Sequence, residues 1–244
     1  MIRSMGATTR AVLFDFGGTL YDYTSLARAE AESLAALAGW AGVTTAPSDL
    51  LRAHREAMQQ VFRTYVPRPF YLHRDLFRDA VAAGLESLGA RPDAALLERY
   101  RALQWDLHRR DIALRDGVVE TLTALRARGL HTGMVSNIDD DQLDHLLEAT
   151  GIRSHFDAIL SSERAGSCKP DPAIFAAALE RAGCAPNEAL FVGDTLAQDV
   201  AGANRAGLRS VLLWHRPDRA LPADAPIRPH HVIHRIPELL ELLS

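Results

Sequence analysis

The sequence predicts an α/β protein: a doubly wound parallel sheet whose first strand is followed by an inserted bundle of four helices. Three observations predict it. A short apolar run, Ala11–Phe14, reads as a buried strand and stops abruptly at Asp15, with Gly17 and Gly18 close behind. From residue 22 to 111 the periodicity is helical throughout, without a strand-like run. After Gly117, apolar runs and helical stretches alternate, the pattern of βα units that place helices on both faces of a parallel sheet.

In the inserted segment, Leu26, Ala29, Ser33, Leu34 and Leu37 form one stripe at helical spacing. Leu50, Leu51, His54, Met58, Val61 and Phe62 form a second. Leu72, Leu76, Phe77, Ala80, Leu85 and Leu88 form a third, and Leu96, Leu97, Tyr100, Leu103 and Leu107 a fourth. Breaks at 39–47, 67–69 and 89–92 separate them, each rich in glycine or proline. The spacing then predicts helices over 117–129 and 139–149, with strands over 131–135 and 156–160. A helix over 171–183 carries Pro172 in its first turn and closes at Gly183. A strand over 189–192, a helix over 196–206 and a strand over 210–213 follow, then a short strand over 231–233 and a terminal helix over 237–243. Residues 221–229, rich in proline, read as a surface loop. The resulting organisation is a core of 1–21 and 112–244 with a helical domain over 22–111.

The composition, 244 residues with 48% hydrophobic and 24% charged, is that of a globular chain able to bury a sizeable core. A net charge of −4 gives no footprint for nucleic acid. Two cysteines, Cys168 and Cys184, exclude a disulfide scaffold and suit a reducing cytosol. Residues 1–10 lack the apolar core of a signal peptide, and no apolar run approaches membrane-spanning length. A cytoplasmic monomer or homodimer with neither nucleic-acid nor membrane partners is expected.

Asp15, Ser136 and Asp194 each directly follow an apolar run, so all three should reach one rim of the sheet, where open parallel sheets bind their ligands. Lys169 lies in the loop that opens a following helix. It is the one lysine among 27 basic residues, at a place where arginine's planar fork would not replace a compact ammonium. Two acids, a lysine and a hydroxyl suit phosphoryl chemistry: a carboxylate acts as nucleophile, a divalent cation offsets like charges, and a lysine holds phosphate oxygens. Taken singly, each residue has a plainer role as a strand-end hydroxyl, a helix-surface charge or, for Asn137 with residues 139–141, a helix cap.

These residues stand in Asp15-Phe-Gly-Gly-Thr19, Ser136-Asn137, Lys169-Pro170 and Gly193-Asp194-Thr-Leu-Ala-Gln-Asp199. In that order and spacing the chain resembles the haloacid dehalogenase-like superfamily of aspartate-nucleophile hydrolases, over nearly its whole length. The resemblance implies a Rossmann-like core with a helical cap and the hydrolysis of a small phosphorylated metabolite. It makes Asp15 the nucleophile that becomes an aspartyl-phosphate, with Thr19 supporting its loop. Ser136 and Asn137 would bind the phosphoryl group, and Lys169 would orient Asp15 and neutralise phosphate charge. Mg²⁺ would be held by Asp15, the Gly17 carbonyl and Asp194, with Asp199 reaching it through water; oxygen ligands suit that ion rather than zinc.

Gly17 departs from the pattern. Phosphatases of the superfamily carry there an aspartate that protonates the leaving oxygen and later activates water. Two readings stay open, with a dehalogenase as a lesser third: a phosphatase for esters with good leaving groups or acyl phosphates, or with an acid borrowed from Asp22, His54, His73 or the substrate; and a weakened member that binds a phospho-ligand or a protein. Asp194 and Asp199 count against dehalogenation, and the absence of lysine from 22–111 excludes a cap-lysine Schiff base. Substrate choice should lie with the cap, whose stretch 63–74 mixes aromatic and cationic residues; Arg68 and His73 are its candidate substrate contacts. His230, His231 and His234 lack a metal-ligand spacing and are expected to cap the last strand, and Cys168 reads as a small neutral filler.

Overall fold

In the computed structural model, which describes residues 8–215, 221 and 225–243, β1 (Ala11–Phe14) lies at the middle of a parallel sheet. The chain leaves it for α1 (Ala27–Trp40), α2 (Pro47–Tyr65), α3 (His73–Ser87) and α4 (Ala94–Asp111). It returns through α5 (Val118–Ala127), β2 (His131–Ser136), α6 (Asp140–Thr150), β3 (Ala158–Ser161) and α7 (Ser162–Ala165). α8 (Pro172–Ala182), β4 (Ala189–Gly193), a π-helical turn (Leu196–Val200) and α9 (Ala201–Arg205) come next. β5 (Arg209–Leu213), β6 (His231–Ile233) and α10 (Leu239–Leu242) complete the order.

The strands lie in the order β3-β2-β1-β4-β5-β6, with every pairing parallel. Both faces of β1 are covered, which is why its residues are uniformly apolar rather than alternating. Val12 and Phe14 pack toward α5, α6 and α10 with Leu122, Leu146 and Leu239. Ala11 and Leu13 point the other way, toward α8 and α9, with Phe175 and Ala203. The chain winds from β1 outward to β3, then crosses back to begin β4 on the other side of β1. That reversal opens a crevice at the carboxyl ends of β1 and β4.

In the helical segment, Leu34 and Leu37 of α1 meet Leu50 of α2, Val81 and Leu85 of α3 and Tyr100 of α4 in a core of their own. Each fully buried leucine there stabilises the bundle by roughly 1.5–3 kcal/mol. Among the described residues, no helix is long and apolar enough to cross a membrane.

The sequence-based elements differ from the structure mainly at their ends. The strand expected from 156 begins at Ala158, because Phe156 closes a 3₁₀ turn and sets its ring edge-on against Phe14 at 6.4 Å. The helix expected over 196–206 opens as a π turn, in which the Val200 N–H donates five residues back to the Thr195 carbonyl at 3.1 Å while the Thr195 hydroxyl accepts from the Asp199 N–H. α7 was not expected; Ser161 caps it. The loop expected over 221–229 lies partly outside the described residues.

Candidate active site

The strand ends deliver their polar groups to one rim, as parallel pairing requires. Asp15 follows β1, with its backbone N–H donating to the Val192 carbonyl of β4 at 2.9 Å. Its carboxylate is buried. Oδ1 accepts from Lys169 Nζ at 2.6 Å and from Ser136 Oγ, the last residue of β2, at 3.4 Å. Oδ2 accepts from Thr19 Oγ1 at 3.0 Å, and that hydroxyl also lies 3.5 Å from Asp194 Oδ1.

Lys169 is buried and bridges two acids, donating to Asp199 Oδ1 at 2.7 Å as well as to Asp15. Burial alone would lower its pKa, but the two carboxylates reverse that and raise it, so the ammonium stays charged. Its backbone is clamped by Asn137: the Lys169 N–H donates to Asn137 Oδ1 at 2.7 Å, and Asn137 Nδ2 donates to the Lys169 carbonyl at 2.9 Å. Asn137 is therefore a positioning group for Lys169 rather than a helix cap.

Two glycines make room for the remaining acids. Gly18 has φ +82°, and a Cβ there would collide with the Asp194 carboxylate. A Cβ on Gly193 would collide with Asp199, whose side chain folds back over the end of β4. Asp199 is buried, and its second oxygen accepts from the Thr195 N–H at 2.9 Å and the Thr195 hydroxyl at 2.6 Å. One carboxylate oxygen from each of Asp15, Asp194 and Asp199 falls in a cluster within 4.8 Å. Burial, then the charges of Asp15 and Asp199, push the Asp194 carboxyl up to about 7. Burial also raises Asp15, against the opposing pull of Lys169. All three candidate ligand atoms are carboxylate oxygens, so the cluster fits a hard divalent cation such as Mg²⁺ and not a nitrogen- or sulfur-seeking metal.

Residues 9–207 match the sequence profile of the haloacid dehalogenase-like hydrolases. The chain belongs to that family. It is 40% identical over 128 residues to haloacid dehalogenase-like hydrolase domain-containing protein 3 of Bos taurus, covering 52% of this chain and 49% of the relative. The chain thus spans about half the length of that relative and of its Danio rerio and Mus musculus counterparts, of which it covers 48% and 51%. It is 30% identical over 240 residues to a ribulose-1,5-bisphosphate 5-phosphatase of Halopiger xanaduensis, covering 95% of this chain and 97% of that one. Among solved structures, the HAD-hydrolase YfnB of Bacillus subtilis, bound to magnesium, superposes with TM-score 0.77 at 25% identity, covering 97% and 99% of the two chains.

Over the family core lies a cleft of about 290 Å³, with Gly17, Ser136 and Asn137 among the residues on its floor side. His54, Phe62 and His73 of the helical segment close it from above. A larger cavity of about 590 Å³ between α3, α4 and α6 touches none of Asp15, Ser136, Lys169 or Asp194, so it is not the seat of this chemistry. His73 is buried in the cleft with Nδ1 unpartnered, and burial followed by the nearby Lys169 lowers its pKa to about 4. Arg68 is exposed and stacks its guanidinium on the Tyr65 ring at 4.1 Å; the structure brings it to neither the cleft nor the acids. Cys168 is a buried filler whose Sγ meets the Tyr71 carbonyl at 3.5 Å, and burial raises its pKa. His230 and His234 hold the edge of the sheet, with Nδ1 of His230 accepting from the Ser210 N–H at 3.1 Å and Nδ1 of His234 lying 2.9 Å from the Trp214 carbonyl.

Three groups escaped the sequence. Arg115 donates through Nε and Nη2 to the Gly18 carbonyl at 3.1 and 2.9 Å, pinning the loop after β1. Asp139 accepts from the backbone N–H groups of His73 and Arg74 at 2.9 and 2.7 Å, so a residue beside the core rim caps α3 of the helical segment. Tyr21 and Tyr23 turn their hydroxyls toward Gly17. Such contacts join residues far apart in the chain or depend on the path of a loop, and no local pattern marks them.

Proposed function

We propose that the chain is a Mg²⁺-dependent phosphatase of a small phosphorylated metabolite, working through an aspartyl-phosphate on Asp15. The observation that carries this reading is Lys169: its ammonium holds Asp15 and Asp199 together while Thr19 and Ser136 fix the remaining geometry of Asp15. A carboxylate so held has one orientation, beside a cleft lined by its neighbours Gly17 and Ser136, and fixed orientation is what in-line attack on phosphorus needs. Asp15 forms the new O–P bond as the ester P–O bond breaks. Lys169 and the Ser136 hydroxyl stabilise the charge that gathers on the phosphoryl oxygens. Water then attacks phosphorus and frees Asp15.

Asp15, the Gly17 carbonyl and Asp194 would hold Mg²⁺, with Asp199 behind them, already turned to Lys169 and Thr195. Bound there, the ion supplies positive charge that offsets the acids and the transferring phosphoryl group. Residues 22–111 serve as the cap that closes the cleft and excludes water. The whole-chain relative from Halopiger xanaduensis supports a phosphorylated metabolite as substrate, as does the modest cleft volume. In this reading the protein acts in the cytoplasm. Steady-state hydrolysis of p-nitrophenyl phosphate and acetyl phosphate tests it: turnover that needs Mg²⁺ is expected, and folded protein inert toward both would favour the ligand-binding alternative.

A further inference from the structure

Gly17 is empty of side chain, but the space above it is filled. A Cβ built on Gly17 would collide with the Tyr23 hydroxyl oxygen and lie 3.1 Å from that of Tyr21. Two phenols therefore occupy the volume that a longer side chain at position 17 would claim. Both tyrosines line the cleft together with Ser136 and Asn137. Tyr23 is unusual in its orientation: the residue is 59% exposed, yet its polar end turns inward. A tyrosine retained only to cover apolar surface has no need to bury its hydroxyl and expose its ring.

The position is fixed from several sides. The Tyr23 ring stands edge-on to Tyr21 at 5.3 Å, and Tyr21 stands edge-on to Phe16 at 4.9 Å. Asp22, between the two tyrosines, accepts from the Thr24 N–H at 2.8 Å and from Arg115 Nη1 at 2.7 Å. The same Arg115 holds the Gly18 carbonyl, so one side chain ties the tyrosine segment to the nucleophile loop. Asp22 is thereby committed to structure. His54 faces Glu30 at 3.7 Å on the helical side of the cleft, and His73, kept neutral, offers only an imidazole N–H, a far weaker acid than imidazolium.

We infer that Tyr23, steadied by Tyr21, is a catalytic residue that donates its proton to the leaving oxygen of the substrate, the task for which position 17 has no side chain. The inference rests on the phosphatase reading. As Asp15 bonds to phosphorus, the ester P–O bond breaks with its electron pair on the leaving oxygen, which takes the Tyr23 proton and departs as an alcohol. Burial raises the Tyr23 hydroxyl well above the ordinary phenol value, so it holds its proton until the leaving oxygen gathers alkoxide charge, a stronger base than phenolate. The water that cleaves the aspartyl-phosphate returns a proton to the Tyr23 oxygen, and the cycle closes without another reactant.

The test is the dependence of rate on the leaving group, with circular dichroism confirming the fold of each variant. Tyr23→Phe keeps the ring and removes one oxygen. It is expected to lower kcat/KM for ethyl phosphate by about 10²-fold or more, the usual worth of a positioned acid, and to leave that for p-nitrophenyl phosphate within about threefold. Equal losses on both substrates, or none on either, would overturn the assignment, since a structural role moves both together. Gly17→Asp combined with Tyr23→Ala is expected to turn over ethyl phosphate at least about tenfold faster than Tyr23→Ala alone, because a carboxylate then takes the vacated place. No gain would contradict the claim that the two groups serve one position. The phosphatase reading itself fails if Asp15→Asn leaves p-nitrophenyl phosphate turnover intact. If Asp15→Asn abolishes turnover but Tyr23→Phe affects both esters alike, only the tyrosine assignment fails.

Discussion

Lys169 Nζ lies 2.6 Å from Asp15 Oδ1, with both side chains buried. A second carboxylate, Asp199, shares the same ammonium at 2.7 Å. One positive charge thus compensates two negative ones in a place water barely reaches. Removing it should unmask both. Lys169→Met is expected to destabilise the fold by about 3–5 kcal/mol, as measured by urea unfolding, because it strands buried charge. Lys169→Arg should restore neither stability nor turnover, since a planar fork does not fit between two oxygens already placed for a point charge.

Asp194 gives the metal-free protein a pH dependence of definite sign. Between the ordinary carboxyl value of 3.8 and about 7, the native state keeps a proton that the unfolded chain has released. Stability therefore falls as pH rises through that window, by a few kcal/mol at most. On the proposed function Mg²⁺ would bind the ionised form, so its addition should raise Tm more at about pH 8 than at about pH 5. Asp194→Asn should reduce the pH slope, leaving the part that Asp15 contributes, and remove the Mg²⁺ increment in thermal melts.

Gly18→Ala tests the room made for that carboxylate. The new methyl group meets a positive φ of 82° and the Asp194 side chain at once. A loss of about 1–3 kcal/mol in denaturant unfolding is expected, together with a weaker response of turnover to Mg²⁺.

Asp139 joins the rim to the helical segment by capping α3 through His73 and Arg74. Asp139→Ala should cost about 1–2 kcal/mol, in the range of lost helix caps. Hydrogen exchange should quicken first at the His73 and Arg74 amides, while the sheet amides of β1 remain protected.

The sheet was legible where burial is decided locally. Ala11–Phe14 is apolar on both faces because helices cover both, and the strand ends where Asp15 begins. The same logic placed Ser136 and Asp194 at one rim, and the isolated lysine pointed to Lys169. Arg68 misled because a cationic residue among aromatics reads the same whether it faces a ligand or stacks on a neighbour such as Tyr65. Gly17 was legible as a departure from the family pattern. Its occupation by Tyr23 was not, because that depends on how the loop after β1 folds back on itself.

The most direct measurement is a search for phosphate on Asp15. Protein mixed with acetyl phosphate and Mg²⁺, then quenched in acid, should carry a hydroxylamine-labile phosphate that mass spectrometry of the peptides places on Asp15, and Asp15→Asn should carry none. A phosphate found on another residue, or turnover undiminished in Asp15→Asn, would contradict the account.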